Sequence, residues 1–267
     1  MTEIEIQRIL IFLTRKIERK KTKIVATLGP STDTPQIIEK MILEGVDVFR
    51  INFSHADHSE VKNRIKMIRE ISEKTQSNTS ILADLQGPKL RIGKVKEGVR
   101  VEPGDLVTFQ NGENFLGNKK KVHMNYKNFS RDVKPGERVL LDDGKLIFEI
   151  VSTEKKSKVE AKVIQGGSLK SKKGVNLPNT ALSLPALTSK DIIDAEFAIK
   201  QNVDWIALSF VRYESDIKSL IELIENNTDH RIPVIAKIEK PEGVKNIDDI
   251  MKHASGIMVA RGDLGVE

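Results

Sequence analysis

The chain has 267 residues, of which 39% are hydrophobic and 31% charged, as expected for one large folded domain or for a domain that carries an insert. It contains no Cys, which excludes disulfides and thiolate metal sites and favours a cytoplasmic location. The net charge of +6 is spread along the chain, and aromatic residues make up only 4%, so we predict no nucleic-acid partner.

The first 20 residues contain a short apolar run that is followed by basic residues. The run Ile9–Leu13 is too short to cross a bilayer, and its charges follow it, unlike those of a signal peptide. We therefore predict that residues 1–20 form an amphipathic helical extension, and that the chain has no membrane partner.

Residues 21–88 alternate between two kinds of segment. The short apolar runs suit parallel strands buried on both faces, and they are Lys23–Gly29, Val48–Phe53 and Ile81–Leu85. Between them, Thr34–Leu43 and Val61–Ile71 repeat Ile with a helical period. This alternation predicts the first part of a parallel α/β sheet.

Residues 89–184 have no helical period. Turn signals such as Pro103-Gly104, Pro135-Gly136 and Asp142-Asp143-Gly144 separate short apolar runs. This pattern predicts short antiparallel strands. We interpret the segment as an inserted β domain that acts as a lid over the α/β sheet.

Residues 185–267 return to the α/β pattern. The apolar runs are Trp205–Val211, Pro233–Ile238 and Gly256–Ala260, with the helical stretches Lys190–Ile199 and Ser215–Ile224 beside them. The segment therefore predicts the second part of the same parallel sheet.

Polar residues gather at the C-terminal ends of the predicted strands. Parallel α/β folds place their active sites at this edge, and residues two apart on a strand share a face. The residues concerned are Arg50, Asn52, Ser54, Asp84, Ser209, Lys237, Glu239 and Asp263. Each could be an isolated structural polar group, but burying this much charge together is costly without a ligand or metal.

The acids Glu239 and Asp263 belong to consecutive strands, which lie about 5 Å apart in a sheet. Two such carboxylates repel each other unless a cation lies between them, and a few hard oxygen ligands favour Mg²⁺ over Ca²⁺. Lys237, flanked by carboxylates, should stay charged and could stabilise a phosphoryl oxygen or an enolate, with a plain salt bridge as the alternative.

The motifs of the chain resemble those of the pyruvate kinase family. KIVATLGPST, FRINFSH, GPKLRIG, KGVNLP, VIAKIEKPEG and MVARGDLGVE occur in that order, so the resemblance covers Lys21–Glu267. It implies a (β/α)8-type TIM barrel with an all-β lid after strand three, and transfer of the phosphoryl group of phosphoenolpyruvate to ADP, giving pyruvate and ATP. About six barrel strands are present where eight are needed. We therefore predict an incomplete barrel that is inactive by itself, and a homo-oligomer, a tetramer in the family, for the full-length form.

The resemblance also implies roles for single residues. The catalytic residues are Arg50, which contacts the substrate phosphoryl group, and Lys237; both bind substrate together with Gly262 and Asp263. The divalent ion, Mg²⁺ or Mn²⁺, is held by Glu239 and Asp263. The nucleotide positions are Asn52, His55, Arg91 and Lys173. The monovalent-cation region comprises Asn52, Ser54, Asp84 and Leu85.

The sequence departs from the potassium-dependent members of the family beside this last region. Lys89 stands in place of a glutamate, and Leu85 and Ile92 stand in place of threonines. A tethered ammonium at Lys89 could replace the ion, so we predict that K⁺ is not required. Lys240 stands where asparagine is frequent, and the sequence assigns it no mechanism.

Two other interpretations remain open. A metal-dependent aldolase or lyase barrel that acts on pyruvate or another 2-keto acid would share the carboxylate pair, but it needs neither the lid nor Arg91 and Lys173. A non-catalytic fragment is the other alternative.

Overall fold

The computed structural model describes residues 21–54, 56–178 and 180–267. Their contacts form two compact units: residues 21–51 with 56–82 make the first, and the other described residues make the second. The predicted helical extension at residues 1–20 and the predicted nucleotide-site residue His55 lie outside the described residues.

The first unit alternates strands and helices, as predicted. Its elements are β1 (Val25–Thr27), α1 (Pro35–Leu43), β2 (Val48–Asn52), α2 (His58–Lys74) and β3 (Ser80–Asp84), with the last residues of β2 and β3 belonging to the second unit. Strand β1 pairs in parallel with β2, and the strand order is β1-β2-β3.

Both helices of the first unit begin at side chains that cap them. The Thr34 hydroxyl accepts a hydrogen bond from the Ile37 N–H, and the Asp57 carboxylate accepts from the Ser59 and Glu60 N–H groups. Such caps satisfy backbone donors that have no partner within the helix. Most of the isoleucines that predicted the helical period, such as Ile38, are buried, whereas Ile37 is exposed.

The second unit opens with the segment between residues 89 and 184. Its elements are β4 (Arg100–Val101), β5 (Leu106–Gln110), β6 (Lys121–His123), α3 (Phe129–Asp132), β7 (Arg138–Leu141), β8 (Leu146–Thr153), β9 (Lys158–Gln165), β10 (Gly167–Ser168) and β11 (Val175–Asn176). Strand β4 pairs with β10, and the other strands form the inserted sheet, in the order β11-β7-β8-β9-β5-β6.

The inserted sheet has its own apolar core. Phe109 makes edge-to-face contacts with Phe148 and Phe129, at ring-centroid distances of 5.3 and 5.9 Å. Alternating residues of β5 and β8 point into this core, as the period of a strand requires. The prediction of antiparallel strands holds for all its pairings but one: β5 and β6 are parallel, because the connection 111–120 returns the chain to the starting end.

The rest of the second unit is again α/β. Its elements are α4 (Ser189–Lys200), β12 (Trp205–Leu208), α5 (Glu214–Glu225), β13 (Val234–Ile238), α6 (Pro241–Lys245), α7 (Ile247–Met251), β14 (Gly256–Val259) and α8 (Arg261–Leu264). The parallel order β12-β13-β14 confirms the prediction for residues 185–267. The exact domain boundaries at residues 88 and 184 stay a prediction.

The inserted sheet begins and ends in two segments that are hydrogen-bonded to each other, residues 90–95 and 171–175. The Ile92 N–H donates to the Lys173 carbonyl at 3.0 Å, and the Val175 N–H donates to the Leu90 carbonyl at 3.0 Å. We call this paired region the stem. It brings the two ends of the insert together although about 80 residues separate them in sequence.

The segment Leu182–Leu184, which leads out of the insert, is bonded on two sides. The Ser183 N–H and hydroxyl donate to the Asp132 carboxylate at 2.8 and 3.0 Å. The guanidinium of Arg212, just after β12, donates to the carbonyls of Leu182 and Leu184. One short segment therefore connects α3, in the insert, to the residue Arg212 just before α5.

Candidate active site

Lys237, near the end of β13, lies at the centre of a buried cluster of charges. Its ammonium is 3.1 Å from Asp84 Oδ1 and 3.0 Å from Glu239 Oε1, and it donates to Ser209 Oγ at 2.7 Å. Only 8% of Lys237, 2% of Glu239 and 1% of Asp84 is exposed. The ammonium therefore forms ion pairs with the two carboxylates and a hydrogen bond with the hydroxyl.

The backbone around this cluster is packed too closely for larger residues. The Ser209 hydroxyl donates to the Leu85 carbonyl at 2.7 Å, which leaves its oxygen directed at Lys237. Gly87 has a φ of +68°, and a Cβ there would lie 2.9 Å from the Phe210 ring. Glycine is therefore needed at this turn for both its backbone conformation and its size.

Glu239 is held from two sides and is deeply buried. Its Oε2 accepts a hydrogen bond from the Phe210 N–H at 2.8 Å, while Oε1 faces Lys237. Burial raises the pKa of the Glu239 carboxyl, and the negative charge of Asp263 raises that pKa further, against the opposing effects of Lys237 and the Phe210 N–H. A cation beside Glu239 and Asp263 would favour the charged form of the carboxyl.

Asp263 lies in the short helix α8 and is exposed. Across the described residues, no three His, Cys, Asp or Glu side chains are arranged to hold a metal ion. Glu239 and Asp263 still fit Mg²⁺ or Mn²⁺ in chemistry, because carboxylate oxygens are the ligands these ions prefer and Mg²⁺ sites are often completed by water and substrate oxygens. Gly262 precedes Asp263, with open space where a Cβ would stand.

The other predicted residues at the ends of β2 and β3 lie as follows. In the first unit, the Arg50 guanidinium donates to the Thr27 hydroxyl at 2.8 Å. In the second unit, Asn52 Oδ1 accepts from the Ser54 N–H at 2.9 Å, and Leu85 is buried.

Arg91 and Lys173, predicted on the nucleotide side, lie on opposite segments of the stem. Arg91 pairs with Gly174 across the stem, and its guanidinium donates to the Lys172 carbonyl at 3.0 Å. The Lys173 ammonium lies 2.8 Å from Asp142 Oδ1, and this hydrogen bond lowers the pKa of the Asp142 carboxyl. The stem thus brings the two predicted residues together, but Lys173 has an acidic partner that the sequence did not indicate.

Lys89 does not touch Asp84 in this structure. Its side chain is exposed, it forms no ion pair within the described ranges, and Asp84 contacts Lys237 instead. Lys89 does line a small cleft together with Asp263, Lys240 and Glu267. The role of Lys89 in the monovalent-cation region stays a prediction.

A second buried ion pair adjoins the site, and the sequence did not predict it. The Lys240 ammonium lies 2.6 Å from Glu267 Oε2, and Glu267 Oε1 accepts a hydrogen bond from the Asn176 side chain at 2.9 Å. The signal in the sequence that could have indicated this pair was Lys240, which follows a predicted metal ligand at a position where asparagine is frequent.

Known proteins resemble this chain over most of its length. The sequence model of the family described as "Pyruvate kinase, barrel domain" matches residues 19–267. The chain belongs to the pyruvate kinase family. A pyruvate kinase of Corynebacterium efficiens is 46% identical over 93% of this chain and 52% of the relative. One of Clostridium perfringens is 41% identical, with the same coverage.

Solved structures lead to the same family. The crystal structure of a pyruvate kinase from Cryptosporidium parvum matches with a TM-score of 0.87 and 34% identity, over 93% of this chain and 52% of the other. The match confirms the predicted incomplete α/β barrel. The chain spans about half the length of the curated pyruvate kinases it matches. In the part that the structure describes, no helix is long and apolar enough to cross a membrane.

Proposed function

We propose that this chain supplies the catalytic face of a pyruvate kinase, which transfers the phosphoryl group of phosphoenolpyruvate to ADP and yields pyruvate and ATP. The observation that carries the proposal is the Lys237 ammonium, held between Asp84 and Glu239 at 3.1 and 3.0 Å. A buried cation with fixed partners is preorganised to stabilise the negative charge that develops on a phosphoryl or enolate oxygen. Membership of the family supports the same reaction.

In this proposal Lys237 exchanges one of its three partners for a substrate oxygen. Arg50 binds the phosphoryl group, and Gly262 with Asp263 hold the carboxylate region of the substrate. Glu239 and Asp263 would hold Mg²⁺ or Mn²⁺, which when bound neutralises charge on substrate oxygens.

The nucleotide is proposed to lie on the side of the inserted sheet. Arg91 and Lys173 bind its phosphates, and Asn52 and His55 complete this side. The stem supports this assignment, because it keeps Arg91 and Lys173 on paired segments. Lys173 would exchange Asp142 for a phosphate, and the inserted sheet would exclude water as a lid. We further propose a cytoplasmic location, no nucleic-acid or membrane partner, and a homo-oligomeric full-length form, a tetramer by resemblance to the family.

The experiment uses a chimera in which this chain is followed by the part of the Corynebacterium efficiens pyruvate kinase that it does not match. We expect the chimera to form pyruvate from phosphoenolpyruvate only when ADP and Mg²⁺ are present, measured by coupling to lactate dehydrogenase. Glu239→Gln removes one charge of the proposed metal site while keeping its shape, so we expect it to lower turnover by about 10²–10³.

The aldolase or lyase alternative is assayed in the same samples. Cleavage of a 2-keto acid aldol without ADP-dependent turnover would replace the proposed function, and absence of both activities would favour a non-catalytic fragment. The chain without the added part is assayed beside the chimera, because we expect it to show no phosphoryl transfer.

We also predict that turnover of the chimera does not require K⁺. Lys89 lines the same cleft as Asp263, and it carries a tethered positive charge four residues after Leu85, a member of the predicted monovalent-cation region. The measurement is turnover with an organic cation as the only monovalent salt, before and after KCl is added. Lys89→Glu should create activation by K⁺, and many-fold activation of the unmodified chimera would contradict the prediction.

A further inference from the structure

The ion pair between Lys240 and Glu267 joins three separate parts of the second unit. Both side chains are buried, with 6% and 3% exposed, and their charged atoms are 2.6 Å apart. The Asn176 amide, on β11 of the inserted sheet, donates to the other Glu267 oxygen at 2.9 Å. Both carboxylate oxygens of Glu267 therefore have partners on different elements.

Each member of this ion pair lies close in the chain to one of the two proposed metal ligands. Lys240 directly follows Glu239 and caps α6, with its carbonyl accepting from the Gly243 N–H at 3.0 Å. The Glu267 N–H donates to the Asp263 carbonyl at 3.1 Å, one helical turn away. The pair thus connects the backbone beside one proposed ligand to the backbone beside the other.

We propose that Lys240 and Glu267 are positioning residues that hold Asp263 at a fixed distance from Glu239, and that Asn176 couples this geometry to the inserted sheet. The inference rests on the proposed function for the identity of the two metal ligands. Lys240 acts through its contact with Glu267 and does not itself touch substrate or metal. This positioning role gives a function to Lys240, to which the sequence alone assigns no mechanism.

Stability alone does not explain a buried ion pair. Removing two charges from water costs about as much as their attraction returns, so apolar residues of similar size often stabilise a fold equally well. What an ion pair with fixed partners adds is a defined geometry. That geometry matters here because α8, which carries Asp263, is short and has no buried residue.

The test measures Mn²⁺ binding to the chimera by electron paramagnetic resonance, together with hydrogen exchange of the amides of Leu264–Glu267. Lys240→Met keeps the length of the side chain and removes its charge. We expect it to weaken Mn²⁺ binding by about 10-fold or more, the usual effect of losing a residue that supports a metal ligand, and to speed exchange in Leu264–Glu267. Lys218→Met is the matched control, because the Lys218–Glu214 pair has a similar length, 2.9 Å, but is exposed.

The double variant Lys240→Met with Glu267→Gln separates positioning from stability. It removes both buried charges. The amide oxygen of the glutamine at position 267 can still accept a hydrogen bond from Asn176. We therefore expect the unfolding midpoint to return towards that of the unmodified chimera. Mn²⁺ binding should stay weak, because the side-chain link between Lys240 and Glu267 is then absent. Recovery of Mn²⁺ affinity together with the midpoint would overturn the proposal, and this variant remains informative if Lys240→Met fails to fold.

Failure of the positioning role can be distinguished from failure of the proposed function. If the unmodified chimera binds no Mn²⁺, the metal assignment is wrong, and hydrogen exchange alone decides whether Lys240 fixes α8. Unchanged exchange of Leu264–Glu267 in Lys240→Met and in Asn176→Ala would then overturn the positioning role, and faster exchange in both would support it.

Discussion

Replacement of Lys237 by Met is expected to lower phosphoryl transfer by the chimera by about 10²–10³, the usual loss when one preorganised charge is removed from an active site. It should also destabilise the fold, because Asp84 and Glu239 would remain buried without their shared cation. Breaking a buried ion pair by removing one partner costs about 3–5 kcal/mol. The measurements are kcat/KM and the free energy of unfolding in urea.

The control for Lys237→Met is Lys252→Met. Lys252 has a similarly close acidic partner, Asp249 at 2.7 Å, but both side chains are largely exposed. We expect this variant to change neither turnover nor unfolding measurably, because exposed ion pairs contribute little. If Lys237→Met kept full turnover, the proposed role of Lys237 in charge stabilisation would be wrong, whatever its effect on stability.

The second large effect is expected from Arg212→Met. The buried guanidinium, 8% exposed, donates to the carbonyls of Leu182 and Leu184. Leu182 and Leu184 are only partly buried, so water can replace part of the lost bonding. The loss of two hydrogen bonds of about 0.5–1.5 kcal/mol each should lower the free energy of unfolding by about 1–3 kcal/mol. Met preserves most of the side-chain volume, so the fall in the free energy of unfolding should come mainly from the lost hydrogen bonds.

Limited proteolysis locates the effect of Arg212→Met. We expect the variant to be cut faster within Leu182–Leu184, because this segment loses its contacts with the start of α5. Arg100→Met is the control, since Arg100 is exposed and pairs only loosely with Glu102, at 3.7 Å. Equal cleavage rates in the two variants, with unchanged stability, would show that the segment is held by other contacts.

The fold was predictable because its determinants are local. The apolar run Val48–Phe53 and the isoleucine spacing in α2 depend only on burial and on the period of the backbone. The insert was recognisable because it lacks the helical period of the flanking segments and contains many turn residues. The parallel pairing of β5 with β6 was not predictable, because it depends on the path of a long connection.

The candidate site was predictable in part. Lys237 lies near the end of β13 and Glu239 follows directly after it, so the period of a strand predicted that the two share a face. The partners of Lys173 and Lys240 were not predictable, because Asp142 and Glu267 lie about 30 residues away and meet them only through tertiary packing. For Lys89 the sequence indicated the charge but not the direction of a long, exposed side chain.

The stem has a consequence for how the chain folds. Residues 90–95 and 171–175 are hydrogen-bonded to each other. The chain entropy that is lost in bringing them together is therefore lost when the inserted sheet forms. Once the stem exists, the flanking α/β segments are linked as though by a short loop. We expect the order of events to be insert first and the neighbouring parallel strands of the second unit afterwards. The length of the insert could then vary through evolution with little effect on the rate at which those strands assemble.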